Sequence, residues 1–126
     1  MDLEKFKPVI LTSGPSTMTI AKSGVSFSQA SVIKLNKSEF VRILMNSDDR
    51  MILIEEASKE DEQAVPFFNP NRKVITARWN YSDFNNSLSQ MMEWDTDENT
   101  YKVHGTYLEN EKAMLFDLNK AQILNK

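Results

Sequence analysis

The sequence predicts an α+β fold, a mostly antiparallel sheet built from hairpins with two helices laid against it. Two pairs of short β-branched or apolar runs flank polar turns, and one later stretch repeats its apolar residues at helical spacing. At 126 residues, 40% of them hydrophobic, the chain can enclose one core but is short for two, so 1–126 is read as a single domain.

Val9-Ile10-Leu11, set between Pro8 and the Gly14-Pro15 pair, reads as a short strand or docking arm. Thr17 to Ala21 and Val25 to Phe27 flank Lys22-Ser23-Gly24, where the glycine can take the positive φ of a tight hairpin. Ser28 can cap a short helix over about 28–35, with Val32, Ile33 and Leu35 as its apolar contacts. Phe40 to Met45 and Met51 to Ile54 form a second hairpin around Ser47-Asp48-Asp49-Arg50, completing a β module over 17–56.

From Glu55 to Glu62 the chain reads EEASKEDE, and Pro66, Asn69, Pro70 and Asn71 punctuate the next segment. This stretch is expected to be a solvated connector with at most one helical turn, leading to a β-α-β-β half over 74–117. In that half Val74 to Trp79 reads as a strand. Ser82 is placed to cap a helix over about 82–94, whose Phe84, Leu88, Met91 and Met92 fall at i, i+4, i+7 and i+8. Asp95 to Thr100 should turn, Tyr101, Val103 and Tyr107 alternate as a strand, and Glu109 to Lys112 separates it from Ala113 to Phe116. The tail from Leu118 to Lys126 is expected to close with one helical turn or more.

Composition narrows the function classes. The chain has no cysteine, which removes disulfides, thiolate ligands and thiol nucleophiles and fits a reducing compartment. Its opening residues do not read as a signal peptide, and no apolar run reaches the roughly 18 to 20 residues of a membrane span. A water-soluble, cytoplasmic protein without membrane contact is expected. The formal charge of −3 is uneven, slightly basic over the first fifty residues and clearly acidic from Met51 to Thr100.

Familiar catalytic and metal patterns fail at named positions. The single histidine, His104, stands in a strand-like stretch among polar neighbours, with no adjacent partner for general-base work. Asp95, Asp97 and Asn99 resemble positions 1, 3 and 5 of a calcium loop, but Thr100 and Thr106 stand where its glycine and bidentate glutamate belong. No Asp-x-Lys or Glu-x-Lys triplet marks a metal-dependent nuclease, and Gly14, Gly24 and Gly105 do not build a phosphate loop. No cofactor, no metal and no enzymatic activity are therefore expected. A small hydrolase or nuclease assembled from distant carboxylates is the third-ranked alternative. Trp79, Tyr81, Trp94 and Tyr107 read either as core closures or as stacking and contact surfaces.

Residues Ser23 to Glu55 run from a glycine turn through Val25-Ser26-Phe27, a helix ending at Leu35, then Val41-Arg42-Ile43 and Ile52-Leu53-Ile54. This order resembles the DNA-binding module of AbrB-type bacterial regulators, whose chains interleave in pairs. The family's basic positions fall on Gly24, Val32 and Ile33, next to Lys34. The resemblance implies a regulatory protein that contacts DNA, for which Lys22, Lys34, Lys37 and Arg42 are the candidate phosphate contacts.

The alternative partner is a basic nucleic-acid-binding protein. A small acidic inhibitor of phage or mobile-element type, acting as a DNA mimic in the manner of an anti-CRISPR, would present Glu55, Glu56, Glu60, Asp61 and Glu62. Phe67 and Phe68 would serve there as apolar contacts, or else anchor the connector to the core. Either reading allows a homodimer.

Overall fold

A computed structural model describes residues 2–6 and 14–124; the strand or arm expected at Val9-Ile10-Leu11 lies outside them. The described residues form strands β1 (Thr17–Ala21), β2 (Gly24–Phe27), β3 (Phe40–Asn46), β4 (Met51–Ala57), β5 (Val65–Pro66), β6 (Ala77–Trp79), β7 (Thr100–Leu108), β8 (Ala113–Asp117) and β9 (Gln122–Leu124), with helices α1 (Gln29–Lys34) and α2 (Ser82–Met92). All strand pairings are antiparallel, so this is an α+β fold dominated by its sheet. No helix among the described residues is long and apolar enough to cross a membrane.

The sheet runs β5-β3-β4-β8-β7-β1-β2-β6, with β9 also on β7. Strands from the two halves of the chain thus alternate, meeting at β4–β8, β7–β1 and β2–β6, and β7 joins the two parts of the sheet. Its first residues, Tyr101 to His104, pair with β1, and its last, Gly105 to Leu108, pair with β8. One face of the curled sheet holds the core: Met18, Ile20, Val25, Phe27, Ile52, Ile54, Val103, Met114 and Phe116 alternate inward along their strands. Phe27 meets Phe67, Trp79 and Phe116 edge to face, at centroid distances of 5.1, 4.9 and 6.0 Å. Burying a side chain of this kind stabilises by about 1.5 to 3 kcal/mol.

Local chemistry explains the junctions. Gly24 takes φ 141° in the β1–β2 turn, and a Cβ there would overlap the Trp79 carbonyl. Ser28 caps α1, its Oγ accepting from the amide of Ser31 at 3.3 Å, while the same oxygen accepts from Thr17 N at 2.9 Å. One serine therefore stops a strand, starts a helix and ties both together. Asn85 Nδ2 donates to the Ala21 carbonyl at 3.1 Å, fixing α2 to the first hairpin.

Several elements differ from expectation. Ser82 is the first helical residue rather than the cap; Tyr81 holds the cap position without a side-chain bond, and Asn85 N returns to its carbonyl. The helix ends at Met92, because Glu93 turns left-handed at φ 56° and sends Trp94 onto Tyr101, where the rings stack at 4.2 Å. The strand expected from Val74 is confined to Ala77–Trp79, since β2 offers only Val25 to Phe27 as partners and Val74 is exposed. In the tail the expected helical turn is a 3-10 turn at Leu118–Lys120, and the described residues after it are extended. Gln122–Leu124 then lies along Thr100 to Lys102, where β8 leaves that flank of β7 unpaired. The connector, expected to be a loop, contributes β5 and buries Phe67.

Candidate functional site

The residues singled out by sequence separate in space. Arg42 and Glu55 face each other across β3 and β4, and the guanidinium donates to Glu55 Oε1 through Nε at 2.9 Å and again through its second nitrogen. Asp61 comes back from the connector to lie 3.4 Å from the same Nε. The hydrogen bond to Glu55, followed by its charge, holds the arginine above its ordinary basicity. A DNA-contact candidate and two protein-contact candidates thus engage one another.

The rest of both sets is scattered. Lys22 lies in the first hairpin turn, 3.4 Å from Asp97, with both side chains largely exposed. Lys34 ends α1 and Lys37 follows it at φ 52°. Glu56 accepts from Asn36 Nδ2 at 3.1 Å and from the Tyr107 hydroxyl at 3.0 Å. Burial first, and that bond second, push the phenol up to about 12. Glu60 and Glu62 are exposed, Phe67 is core and Phe68 is half-buried. Asp95 spends its carboxylate on the Asp97 amide at 3.1 Å, an ordinary Asx turn.

A different constellation lies on the outer face of β7, β1, β2 and β6. Thr19 pairs with Lys102 on one side and with Ser26 on the other, and Ser26 pairs with Arg78. These side chains alternate with the buried Ile20, Val25, Trp79 and Val103, so they share the outward face. The result is one row, Lys102-Thr19-Ser26-Arg78, about 14 Å long at three strand spacings. Beside it His104 pairs with Thr17, and a shallow cleft is lined by Thr17, Thr19, Ser26, Ser28, Arg72 and Arg78. No carboxylate lines that cleft. Among the described residues Arg72, Arg78 and Lys102 form no ion pair; Arg78 reaches only the Ser23 carbonyl, at 3.3 Å.

Sequence reasoning missed this row because Lys102 and Arg78 come from segments far from the Thr19–Ser26 hairpin and neither cation belongs to a motif. A signal was present: alternating hydroxyls at Thr17, Thr19, Ser26 and Ser28 on the polar face of the first hairpin. The arrangement offers hydroxyl donors and uncompensated cations to an anion. No protein-family model matches the chain, and no curated protein or solved structure matches it.

Proposed function

We propose that this is a non-catalytic binding protein that contacts DNA through its phosphate backbone, on the outer face of β7, β1, β2 and β6. The Lys102-Thr19-Ser26-Arg78 row carries the reading. Cations free of carboxylate partners give up no ion pair when a phosphate arrives, and threonine and serine hydroxyls add uncharged donors. Laid along a duplex axis, the row spans about four base pairs at about 3.4 Å of rise each. The AbrB-type pattern of residues 23–55 points to the same class of partner, and its first strand supplies Ser26. Lys22 and Arg42 have less to offer, since each already holds a carboxylate.

The competing acidic surface is thinner than the sequence promised. Glu55 and Asp61 are held by Arg42 and Glu56 by Asn36 and Tyr107, so among the described residues only Glu60 and Glu62 of the five lack such a partner. A phosphate-mimicking inhibitor therefore ranks second.

Fluorescence anisotropy with labelled single-stranded and duplex oligonucleotides, over a salt series, tests the proposal. If Arg72, Arg78 and Lys102 each neutralise a phosphate, log K should fall with log salt at a slope of about −2 on single strands and about −3 on duplex. The paired variant Arg78→Gln, Lys102→Gln should flatten the slope by about two contacts. Absence of binding at about 50 mM salt, or a slope indifferent to the paired variant, would overturn it.

A further inference from the structure

The outer face of the other half of the sheet has a different chemistry. Leu44, Leu53 and Leu115 are cross-strand neighbours on β3, β4 and β8, forming an apolar row that ends at Thr106 on β7. Met51 borders the row, and Leu44 and Met45 are 40% and 38% exposed. This row runs out at β3, whose far side is covered only at Phe40 and Val41, where β5 pairs. Among the described residues no strand pairs with that side from Arg42 to Asn46.

Open edges are normally guarded by lysine, proline, a bulge or an inward charge, because unpaired amides and carbonyls recruit other strands. This edge carries none of these: its sequence is Arg-Ile-Leu-Met-Asn, and its one charge is already held by Glu55 and Asp61. The opposite edge, β6, contrasts with it, having Arg78 on its outer face and Trp79 bonded to Pro66.

We infer that a second copy of this chain pairs with β3, antiparallel and centred on Leu44. A strand edge is self-complementary about a twofold axis, because each copy's donors meet the other's acceptors in the same register. The free length, Arg42 to Asn46, fits between β5 and the Ser47–Arg50 turn. Centred there, Leu44 faces Leu44 of the second copy, Ile43 faces its Met45, and Arg42 faces its Asn46. Apolar residues meet apolar ones and polar ones meet at both ends. The charges complement in the same sense: the compensated guanidinium faces a neutral amide, and no like charges stand opposite. The leucine rows of the two copies then join into one continuous apolar strip. Pairing at this edge is independent of nucleic-acid binding and uses the other half of the sheet.

Analytical ultracentrifugation of the full chain, without nucleic acid, provides the first test. A mass of two chains is expected at micromolar concentration, reverting to one chain in Leu44→Lys and Met45→Lys with unchanged far-UV circular dichroism. A second measurement does not depend on those variants folding. The chain has no cysteine, so a single Leu44→Cys should cross-link to itself under copper–phenanthroline much faster than Glu111→Cys, in the exposed turn between β7 and β8. A single-chain mass throughout, a dimer that survives Leu44→Lys, or equal cross-linking at the two positions would overturn the inference. The last two outcomes would assign the contact to another surface, and the first would leave the edge to an extended peptide of a different protein.

Discussion

The indole Nε1 of Trp79 donates to the Pro66 carbonyl at 2.8 Å, joining the two edge strands of the curled sheet. No backbone ladder runs between β5 and β6. One side-chain bond, backed by Phe67 at 5.9 Å and Phe84 at 6.0 Å from the indole ring, makes the closure. Trp79 is therefore a clasp as well as a core residue.

Replacing Trp79 by Phe keeps an aromatic ring but removes that donor and part of the ring volume. The expected loss is about 0.5 to 1.5 kcal/mol for the partly buried hydrogen bond, with a further contribution from imperfect filling. Urea unfolding checks it. A midpoint no lower than that of Tyr81→Phe, which removes only the hydroxyl of an exposed residue, would show that the clasp is idle.

Gly24→Ala should destabilise by at least about 1 to 3 kcal/mol, since φ 141° is strained for any side chain and the new Cβ meets the Trp79 carbonyl. Gly14 is also left-handed, at φ 82°, but a Cβ added there would have nothing within 4 Å. Gly14→Ala should accordingly cost less. Equal shifts in thermal midpoint for the two variants would contradict the close approach of β6 to Gly24.

Tyr107 ties stability to alkaline pH. Its phenol sits higher in the folded chain, at about 12, than its ordinary value of 10.0. A raised value means that the folded state holds the proton more tightly. The stabilisation is complete below pH 10 and is lost as pH rises from there through about 12. Tyr107→Phe should lose this component of the pH dependence, and about 1 kcal/mol near neutrality from the bond to Glu56. Stability curves of wild type and variant that stay parallel from about pH 9 to 12 would contradict the coupling.

Arg42→Gln separates the two charged surfaces. It frees Glu55 and Asp61 on a partly exposed site, so stability should fall by no more than about 1 kcal/mol. Oligonucleotide affinity should be unchanged beyond the small effect of one net charge, whereas Arg78→Gln should lower it and reduce the salt slope by about one contact. If Arg42→Gln weakens binding as much as Arg78→Gln does, the phosphate surface lies on β3 instead.

The hairpins, the short helix capped by Ser28 and the amphipathic helix were legible because each is written in consecutive residues. Turn chemistry at Gly24 and periodicity at Phe84, Leu88 and Met92 act over one or two turns of chain. The failures occurred where a distant partner decides the structure. Gln122–Leu124 is extended because β7 has an open flank, and Val65–Pro66 is a strand because Phe40 and Val41 are available. The candidate site was illegible for the same reason. Lys102 and Arg78 become neighbours of one hydroxyl pair only through three strand registers, and the sequence does not state a register.

Because β7 is shared between β1, β8 and β9, the sheet cannot be assembled in the order in which its chain is made. The first two hairpins emerge early, yet the β7–β8 hairpin that joins them begins only at Thr100. Until then the inner faces of Met18, Phe27, Ile52 and Ile54 have no common floor, and the two hairpins must wait as separate ribbons. Folding should therefore be slow for a chain of this size and dominated by closure of distant segments. During that wait the bare β3 edge is available to any neighbouring nascent chain. Expression at lower temperature, or with a chaperone that shields exposed strands, should raise the soluble yield.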